Sequence, residues 1–214
     1  MIELSQLEIR RGVFCLQGID MKIPTSEYSS LIGASGTGKT TLLECITGLL
    51  QPTAGQVILN GVDCTTTAAA DRSIGYVPQD LGLFSWLTVQ QNLKFGLKRR
   101  KVSAHEQRQR TDEVAEDLKL TDLLKNRVTR LSRGQAQRVA LGRVLVMRPK
   151  ILVLDEPLSS LDAATKKLVI DVLAKFHAKH RCTVLHVTHH EADIEAMCDV
   201  RCEIQDGQVI CCEK

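Results

Sequence analysis

Aromatic residues, strong net charge and long apolar runs are all scarce in this 214-residue chain. Only 3% of the residues are aromatic, and the formal net charge of +3 is too small to indicate nucleic-acid binding. No apolar run approaches the roughly 20 residues of a transmembrane helix, and the N-terminal stretch lacks the apolar core of a signal peptide. We therefore expect a cytosolic protein with one large domain or two small ones.

The cysteines lack the paired C-x-x-C spacing of common metal sites. In a cytosolic protein we expect them to be reduced and to serve as small apolar residues. A metal site built from His189, His190, Cys198 and Cys202 is the alternative that the spacing leaves open. The eight cysteines stand at positions 15, 45, 64, 182, 198, 202, 211 and 212.

The stretch "GASGTGKT", residues 33–40, matches the phosphate-loop pattern G-x-x-x-x-G-K-[ST]. A strand-like run precedes it, and apolar residues at helical spacing follow it. Its glycines allow a tight curl in which backbone N–H groups face phosphates, while Lys39 neutralises the β- and γ-phosphates and Thr40 places its hydroxyl on Mg²⁺. The sequence thus predicts a nucleotide site whose other members are Gly33, Ala34, Ser35, Gly36, Thr37, Gly38 and Thr41.

The stretch "ILVLDEP", residues 151–157, predicts a strand that is buried on both faces of a parallel sheet. Asp155 and Glu156 leave its carboxyl end, which is where open α/β sheets bind ligands. Asp155 is predicted to hold Mg²⁺ through water, and Glu156 to polarise an attacking water as a general base. A later apolar run, "TVLHVTHHE", predicts another buried strand with His189 at its carboxyl end.

The polar stretch "RLSRGQAQR" predicts a helix start, because Ser132 and Gln135 have the S-x-x-Q spacing of a capping box. Apolar residues near helical spacing continue the helix until Arg148-Pro149. Free N–H groups and the helix dipole favour an anion at such a terminus. An ordinary capped surface helix is the alternative interpretation.

Taken together, these motifs resemble those of the nucleotide-binding subunit of ATP-binding cassette (ABC) transporters, over nearly the whole chain. Six of them occur in the family's order. They are "GASGTGKT" as Walker A, "YVPQD" as the Q-loop with Gln79, "LSRGQ" as the signature, "ILVLDE" as Walker B, "SSLD" as the D-loop ending at Asp162, and "HVTHHE" with the switch histidine His189.

The resemblance implies an α/β fold with a RecA-like P-loop NTPase core in a single ABC ATPase domain over residues 1–214. An antiparallel β subdomain would comprise about 1–30 and 54–75, and a helical subdomain about 80–145. It also implies ATP hydrolysis with Glu156, His189 and Gln79 as catalytic residues, and Mg²⁺ held by Thr40, Gln79 and Asp155. A hairpin turn is expected at Asp206-Gly207.

By the same resemblance, the signature of one chain contacts the γ-phosphate of ATP held by the Walker A loop of a second chain. Two chains would then close head to tail over two ATP molecules. Arg133 stands where the family commonly has glycine, and either faces phosphate or turns to solvent. The nucleotide-contacting residues implied in this way are Ser132, Arg133, Gly134, Gln135 and Asp162.

Many family members stack adenine on an aromatic residue near the N-terminus, and Arg11 stands in that place here. Phe14 is close enough in sequence to substitute for it. The guanidinium of Arg10 or Arg11 is the other candidate for stacking on the base.

Three aromatic residues, Phe84, Trp86 and Phe95, lie in the segment "LFSWLTVQQNLKFGL" just after Gln79. We expect most of them to build the core of the helical subdomain, although the family uses this region as a groove for a coupling helix of the membrane-spanning permease. The segment resembles that of importers for inorganic ions, polyamines and sugars.

We therefore expect an importer subunit that is peripheral on the cytoplasmic face of the membrane, in a system with an extracytoplasmic solute-binding protein. An exporter or lipoprotein-release ATPase is the alternative within the family. A soluble ABC ATPase of DNA repair or translation is the alternative outside transport, but no nucleic-acid partner is expected.

Overall fold

A computed structural model of the chain describes residues 1–159, 161–189, 191–205 and 207–213. Three members of the predicted motifs and turns, Ser160, His190 and Asp206, lie outside these ranges. The strands are β1 Ile2–Arg11, β2 Phe14–Ile23, β3 Tyr28–Ile32, β4 Ala54–Leu59, β5 Val62–Asp63, β6 Ile74–Val77, β7 Ile151–Asp155, β8 Thr183–Val187, β9 Val200–Gln205 and β10 Gln208–Glu213. The α-helices are α1 Lys39–Thr47, α2 Val89–Arg99, α3 Ala104–Asp117, α4 Arg133–Leu145 and α5 Ala163–His180.

A six-stranded sheet forms the centre of the molecule, in the order β10-β9-β3-β8-β7-β6. Strands β6 to β9 and β3 run parallel where they pair, and β10 joins β9 as an antiparallel hairpin. Every residue of β7 and β8 is buried. The predicted buried parallel strands are thereby confirmed, because helices or a second sheet cover both faces.

The core is divided by this sheet into two layers, since successive side chains of a strand point to opposite faces. Leu152 and Leu154 of β7 join one layer together with residues of α2, α4 and α5. Ile151 and Val153 join the other, with residues of α1 and of the antiparallel sheet. Helix α1 is thus held between two sheets.

The second sheet is antiparallel, in the order β2-β1-β4-β5. Its strand β1 pairs with β2 and β4, and its apolar side chains Ile2, Leu7 and Ile9 are fully buried. These side chains pack towards α1 and the central sheet. The N-terminal strands therefore pack beside the phosphate loop and helix α1.

Helix α4 begins where the sequence predicts and ends slightly earlier. Its N-cap is Ser132, and its last helical residue is Leu145 rather than a residue at Arg148-Pro149. Arg148 has a φ of 49°, a left-handed conformation that does not continue an α-helix. The chain then enters β7.

The prediction that all cysteines are reduced is wrong for one pair. Cys202 of β9 and Cys211 of β10 stand directly opposite each other in the hairpin, with their Cα atoms 4.0 Å apart, and are joined by a disulfide. The strand register, which the cysteine spacing alone did not reveal, brings them together. Cys45, Cys182 and Cys198 are free and buried, as small apolar residues are expected to be.

Across the described ranges, no helix combines the length and the apolar character that crossing a bilayer requires.

Candidate nucleotide site

The predicted phosphate loop connects β3 to α1 and depends on glycine at two close contacts. Gly33 has a φ of 154°, and a Cβ there would lie 2.9 Å from the Ile204 carbonyl oxygen. Gly38 has a φ of 96° and caps α1, and a Cβ there would lie 2.5 Å from the Phe14 ring. A side chain at either position would displace backbone or an aromatic ring, so the loop needs glycine at both.

Lys39 spans the loop that precedes it. Its Nζ donates hydrogen bonds of 2.7 Å to the carbonyl oxygens of Gly33 and Ala34, and the residue is buried. Burial lowers the pKa of the Lys39 ammonium, and the negative charges of Glu156 and Asp155 raise it by a smaller amount. The loop therefore holds a cation at the position where phosphate oxygens would approach.

Thr40 and Asp155 meet at the carboxyl end of the central sheet. Thr40 Oγ1 donates to Asp155 Oδ2 at 2.9 Å, and Asp155 is 2% exposed. Burial raises the pKa of the Asp155 carboxyl above its ordinary value, and the Thr40 hydrogen bond opposes that shift. The hydroxyl and carboxylate oxygens, with the Gln79 amide nearby, are of the ligand type that suits Mg²⁺.

Glu156 follows β7 in a left-handed backbone conformation, with a φ of 51°. Its N–H donates to the Val187 carbonyl oxygen of β8 at 3.0 Å. Its carboxylate contacts the Nε2 atom of His189, which lies just beyond β8. This arrangement places a carboxylate and an imidazole side by side, which is suited to accepting and holding a proton.

Lys39, Thr40, Glu156 and His189 line one cleft. The structure thereby brings residues of the predicted Walker A loop, Q-loop, Walker B strand and switch histidine to a single surface. Two further side chains, Arg11 and Phe14, stand in the same cleft, whereas Arg10 is exposed and does not line it. The lining residues are Arg11, Phe14, Ser35, Gly36, Gly38, Lys39, Thr40, Thr41, Gln79, Glu156 and His189.

A hydrogen bond within the loop and an ion pair beside it fix the residues around the cleft. Thr37 Oγ1 donates to the Ala34 carbonyl oxygen at 2.9 Å. Arg11 is fixed from outside the loop by an ion pair with Glu44 of α1, in which its Nη1 lies 3.0 Å from Glu44 Oε2. These contacts hold the shape of the loop and the position of the guanidinium.

The predicted signature forms its capping box. The Gln135 N–H donates to Ser132 Oγ at 3.3 Å, and the Ser132 N–H donates to Gln135 Oε1 at 2.9 Å. Ser132 and Arg133 are exposed, and in the described part of the chain the residues 132–135 do not line the cleft. A single chain thus does not bring its signature to its own phosphate loop.

Asp162 is also outside the cleft in this chain. Its carboxylate caps α5, accepting the Thr165 N–H at 3.0 Å and the Thr165 hydroxyl at 2.7 Å. The neighbouring Leu161 lies against Gly134, where a Cβ on the glycine would be 3.4 Å from the Leu161 methyl group. The D-loop and the signature are therefore in contact within one chain.

Sequence reasoning missed Gln137. This residue of α4 is 5% exposed, and its Nε2 donates to the Pro157 carbonyl oxygen and lies 3.3 Å from the Glu156 carbonyl oxygen. The available signal was its spacing, because Gln137 is one helical turn before Leu141 and lies on the buried face of α4. A polar residue on such a face needs a hydrogen-bond partner.

The expectation that the aromatic residues after Gln79 build the helical core is wrong for two of them. Trp86 is 67% exposed and Phe95 41% exposed. Their rings cluster with Phe84, at centroid distances of 5.5 Å from Trp86 and 4.3 Å from Phe95, and the Arg143 guanidinium lies 5.3 Å from the Phe84 centroid. We call Phe84, Trp86 and Phe95 the aromatic patch.

The alternative metal site at the C-terminal histidines and cysteines receives no support. Within the described ranges, no group of three or more His, Cys, Asp or Glu side chains is arranged to hold a metal ion. Cys202 is in a disulfide, and the Cys198 thiol donates to Ser30 Oγ at 3.3 Å. His190 lies outside the described residues.

Residues 16–159 match the family model described as ABC transporter. Curated relatives include the sulfate/thiosulfate import ATP-binding protein CysA of Synechococcus elongatus, 39% identical over 97% of this chain and 61% of that protein. The molybdate/tungstate import ATP-binding protein WtpC of Methanocaldococcus jannaschii is 40% identical over 98% of this chain and 69% of that protein. The Fe(3+) ions import ATP-binding protein FbpC of Photobacterium profundum is 36% identical over 91% and 56%. The matched part of this chain thus corresponds to between 56% and 69% of the length of these relatives.

Solved structures agree with the sequence comparison. A dimeric bacterial ABC transporter cassette is 28% identical and superposes with a TM-score of 0.89, over 100% of this chain and 98% of that one. The same kind of cassette in a dimeric post-hydrolysis state bound to ADP and Pi has a TM-score of 0.88, with 28% identity over the same shares. The predicted α/β P-loop fold is confirmed, and the chain belongs to the ABC transporter family, whose ATP-binding cassette it carries.

Proposed function

We propose that the chain binds ATP and hydrolyses it to ADP and phosphate. The observation that carries this proposal is the cleft in which the phosphate loop, Gln79, Glu156 and His189 face one another although they come from four distant parts of the sequence. The N–H groups of the loop and the Lys39 ammonium receive the phosphates. The base is proposed to stack on Arg11 or Phe14, which line the same cleft and offer a flat guanidinium and a flat ring.

The oxygen donors at this site are of the type that binds Mg²⁺. Thr40 Oγ1 and the Asp155 carboxylate are in contact, and Gln79 lines a depression together with both residues. When bound, Mg²⁺ supplies positive charge that offsets the charge of the phosphates. Asp155 would hold it through water, and the ion would add to the positive charge that Lys39 already brings near the buried Asp155 carboxylate.

Glu156 is the proposed general base. Its carboxylate directly follows β7 and would accept a proton from the water that attacks the γ-phosphate. His189 contacts Glu156 and is proposed to contact the γ-phosphate of bound ATP as well. Gln79 and Lys39 complete the set of polar groups around the reacting atoms.

The Glu156→Gln variant tests this assignment. ATP binding should be retained, because the phosphate loop is unchanged, while steady-state turnover should nearly stop and an ATP-bound dimer should accumulate. Glu116→Gln, an exposed carboxylate of α3, is the matched control and should keep wild-type turnover. Wild-type turnover in Glu156→Gln would remove Glu156 from the mechanism.

We further propose that the complete site needs two chains, closed head to tail. The signature residues Ser132, Arg133, Gly134 and Gln135 lie outside the cleft of their own chain, and Ser132 and Arg133 are exposed. An exposed, capped helix N-terminus is suited to an anion, here the γ-phosphate bound by the second chain. Likeness to dimeric cassettes supports this arrangement. Asp162 would lie at the same interface.

The transport partner is proposed to be a membrane-spanning permease that docks on the aromatic patch. Exposed aromatic residues beside basic side chains are suited to an amphipathic helix. The curated relatives are import proteins for sulfate, molybdate/tungstate and Fe(3+), which supports an importer for a small inorganic ion on the cytoplasmic face of the membrane, working with an extracytoplasmic solute-binding protein.

Within this single domain, residues 1–214, we propose a division into three parts. The antiparallel β subdomain covers about 1–30 and 54–75, the helical subdomain about 80–145, and the RecA-like core the remainder. The antiparallel sheet and the run of helices α2 to α4 support the division, although β3 and β6 at the edges of the β subdomain pair with the central sheet.

A further inference from the structure

Glu156 is held in a backbone conformation that a non-glycine residue adopts only under constraint. Its φ of 51° lies in the left-handed region, where a side chain is disfavoured. Such a residue stays in place when several surrounding contacts fix it together. The position of the Glu156 carboxylate therefore depends on the groups that hold the Glu156 backbone.

Three elements contribute those contacts. The Glu156 N–H donates to the Val187 carbonyl oxygen of β8 at 3.0 Å. The Glu156 carbonyl oxygen accepts from the Ser159 N–H at 3.3 Å and from Ser159 Oγ at 3.1 Å. The third element is helix α4, through the side-chain amide of Gln137.

Gln137 is the side chain that reaches this turn from a separate element. Its Nε2 donates to the Pro157 carbonyl oxygen and lies 3.3 Å from the Glu156 carbonyl oxygen, so one NH₂ group holds two successive peptide units. The residue is 5% exposed, and water therefore cannot replace its amide easily. An NH₂ group with two donors fits two neighbouring carbonyl oxygens, whereas a carboxylate or an apolar group does not.

We propose that Gln137 is a positioning residue for the catalytic carboxylate: it fixes the Glu156-Pro157 turn from helix α4 and thereby sets where the Glu156 side chain enters the cleft. Because α4 begins at Ser132 and Arg133, a shift of that helix terminus moves the Gln137 amide and the turn with it. This proposal rests on the proposed role of Glu156.

Gln137→Met tests the proposal, because it keeps an unbranched chain of similar length and removes the amide. The turnover number should fall by roughly 10- to 100-fold, since misplacing a reacting group by about 1 Å can cost that much. ATP affinity of the isolated chain, measured by calorimetry, should stay within about twofold, because the phosphate loop is untouched. The matched control is Gln107→Met, which should keep wild-type turnover. It removes an amide of α3 that donates at 2.7 Å to the carbonyl oxygen of Val102, just before that helix.

A double variant separates positioning from general damage. In single-turnover measurements, Gln137→Met should add no further loss to Glu156→Gln, because both changes act through the same carboxylate. An additional loss of the same size in the Glu156→Gln background would overturn the proposal, as would wild-type turnover in a folded Gln137→Met protein. If Gln137→Met does not fold, Gln137→Asn, which withdraws the amide by one methylene, must show the same non-additivity or the proposal fails. Failure of the proposed function is distinct, since Glu156→Gln itself would then turn over normally.

Discussion

Thr40 and Asp155 stand 115 residues apart in the chain, yet Thr40 Oγ1 donates a 2.9 Å hydrogen bond to Asp155 Oδ2. The contact joins the first turn of α1 to the end of β7. It forms because the carboxyl ends of β3 and β7 meet at one edge of the central sheet, with β8 between them. The fold therefore makes these two predicted Mg²⁺ ligands neighbours.

Asp155→Asn should stabilise the nucleotide-free chain and nearly abolish Mg²⁺-dependent ATP hydrolysis. Burial raises the pKa of this carboxyl in the folded state. Above the carboxyl's ordinary pKa, the cost of burying its negative charge therefore lowers the free energy of unfolding. This cost disappears as the pH falls and the group is protonated. Asparagine carries no charge and still accepts the Thr40 hydrogen bond. Urea unfolding at pH 7 without Mg²⁺ measures the effect, and a lower free energy of unfolding in the variant would contradict it.

Complementation between two inactive variants should reveal the composite site. Lys39→Ala removes the ammonium that holds the loop, and Gly134→Asp places a carboxylate at the signature; each alone should be nearly inactive. In an equal mixture about a quarter of all sites should be intact, because half of the dimers are mixed and each mixed dimer holds both lesions in one site. ATPase activity of the mixture checks this result.

Gly134→Ala is the control for folding in that experiment. Among the described residues of one chain, a Cβ at Gly134 would contact the Leu161 methyl group at 3.4 Å, an ordinary van der Waals distance, so the variant should fold normally. Full activity in a strictly monomeric preparation, together with failure of complementation, would exclude the two-chain site.

Trp86→Ala should leave the fold intact and impair transport. Because Trp86 is 67% exposed, its loss should change the free energy of unfolding by no more than about 0.5 kcal/mol, as for other surface substitutions. Nucleotide binding by the isolated subunit should be unchanged, while stimulation of ATPase activity by the permease should be lost. Val62→Ala, a change at a similarly exposed apolar residue on β5, should have neither effect. Unfolding of Trp86→Ala would assign Trp86 to the core instead.

Acid should destabilise the protein through His186. This residue of β8 is fully buried with its Nδ1 2.7 Å from the Tyr28 hydroxyl, and burial lowers its pKa to about 3, against the opposing charge of Asp193. As the pH falls below about 6.5, the unfolded chain takes up a proton on His186 while the folded protein does not. The free energy of unfolding is therefore unaffected by His186 above that pH and falls between about pH 6.5 and 3. At pH 5 the loss is on the order of 2 kcal/mol. Urea unfolding at pH 7.5 and 5 should show a smaller decline for His186→Gln than for wild type.

The sequence by itself determined the local elements and the family. The glycines of the phosphate loop, the Ser132–Gln135 capping box and the apolar strand before Asp155 each follow from short-range chemistry, because a few neighbouring residues set backbone conformation and burial. The order of the motifs identified the family, which the comparisons confirm. These features needed no knowledge of distant contacts.

Only the tertiary structure decided which distant groups meet. Strand register joined Cys202 to Cys211. Packing left Trp86 exposed, although its apolar character favoured the core. The approach of α4 to β7 brought Gln137 to the Glu156 turn. Such contacts depend on how whole elements pack against one another, and residue types in a local pattern do not specify that packing.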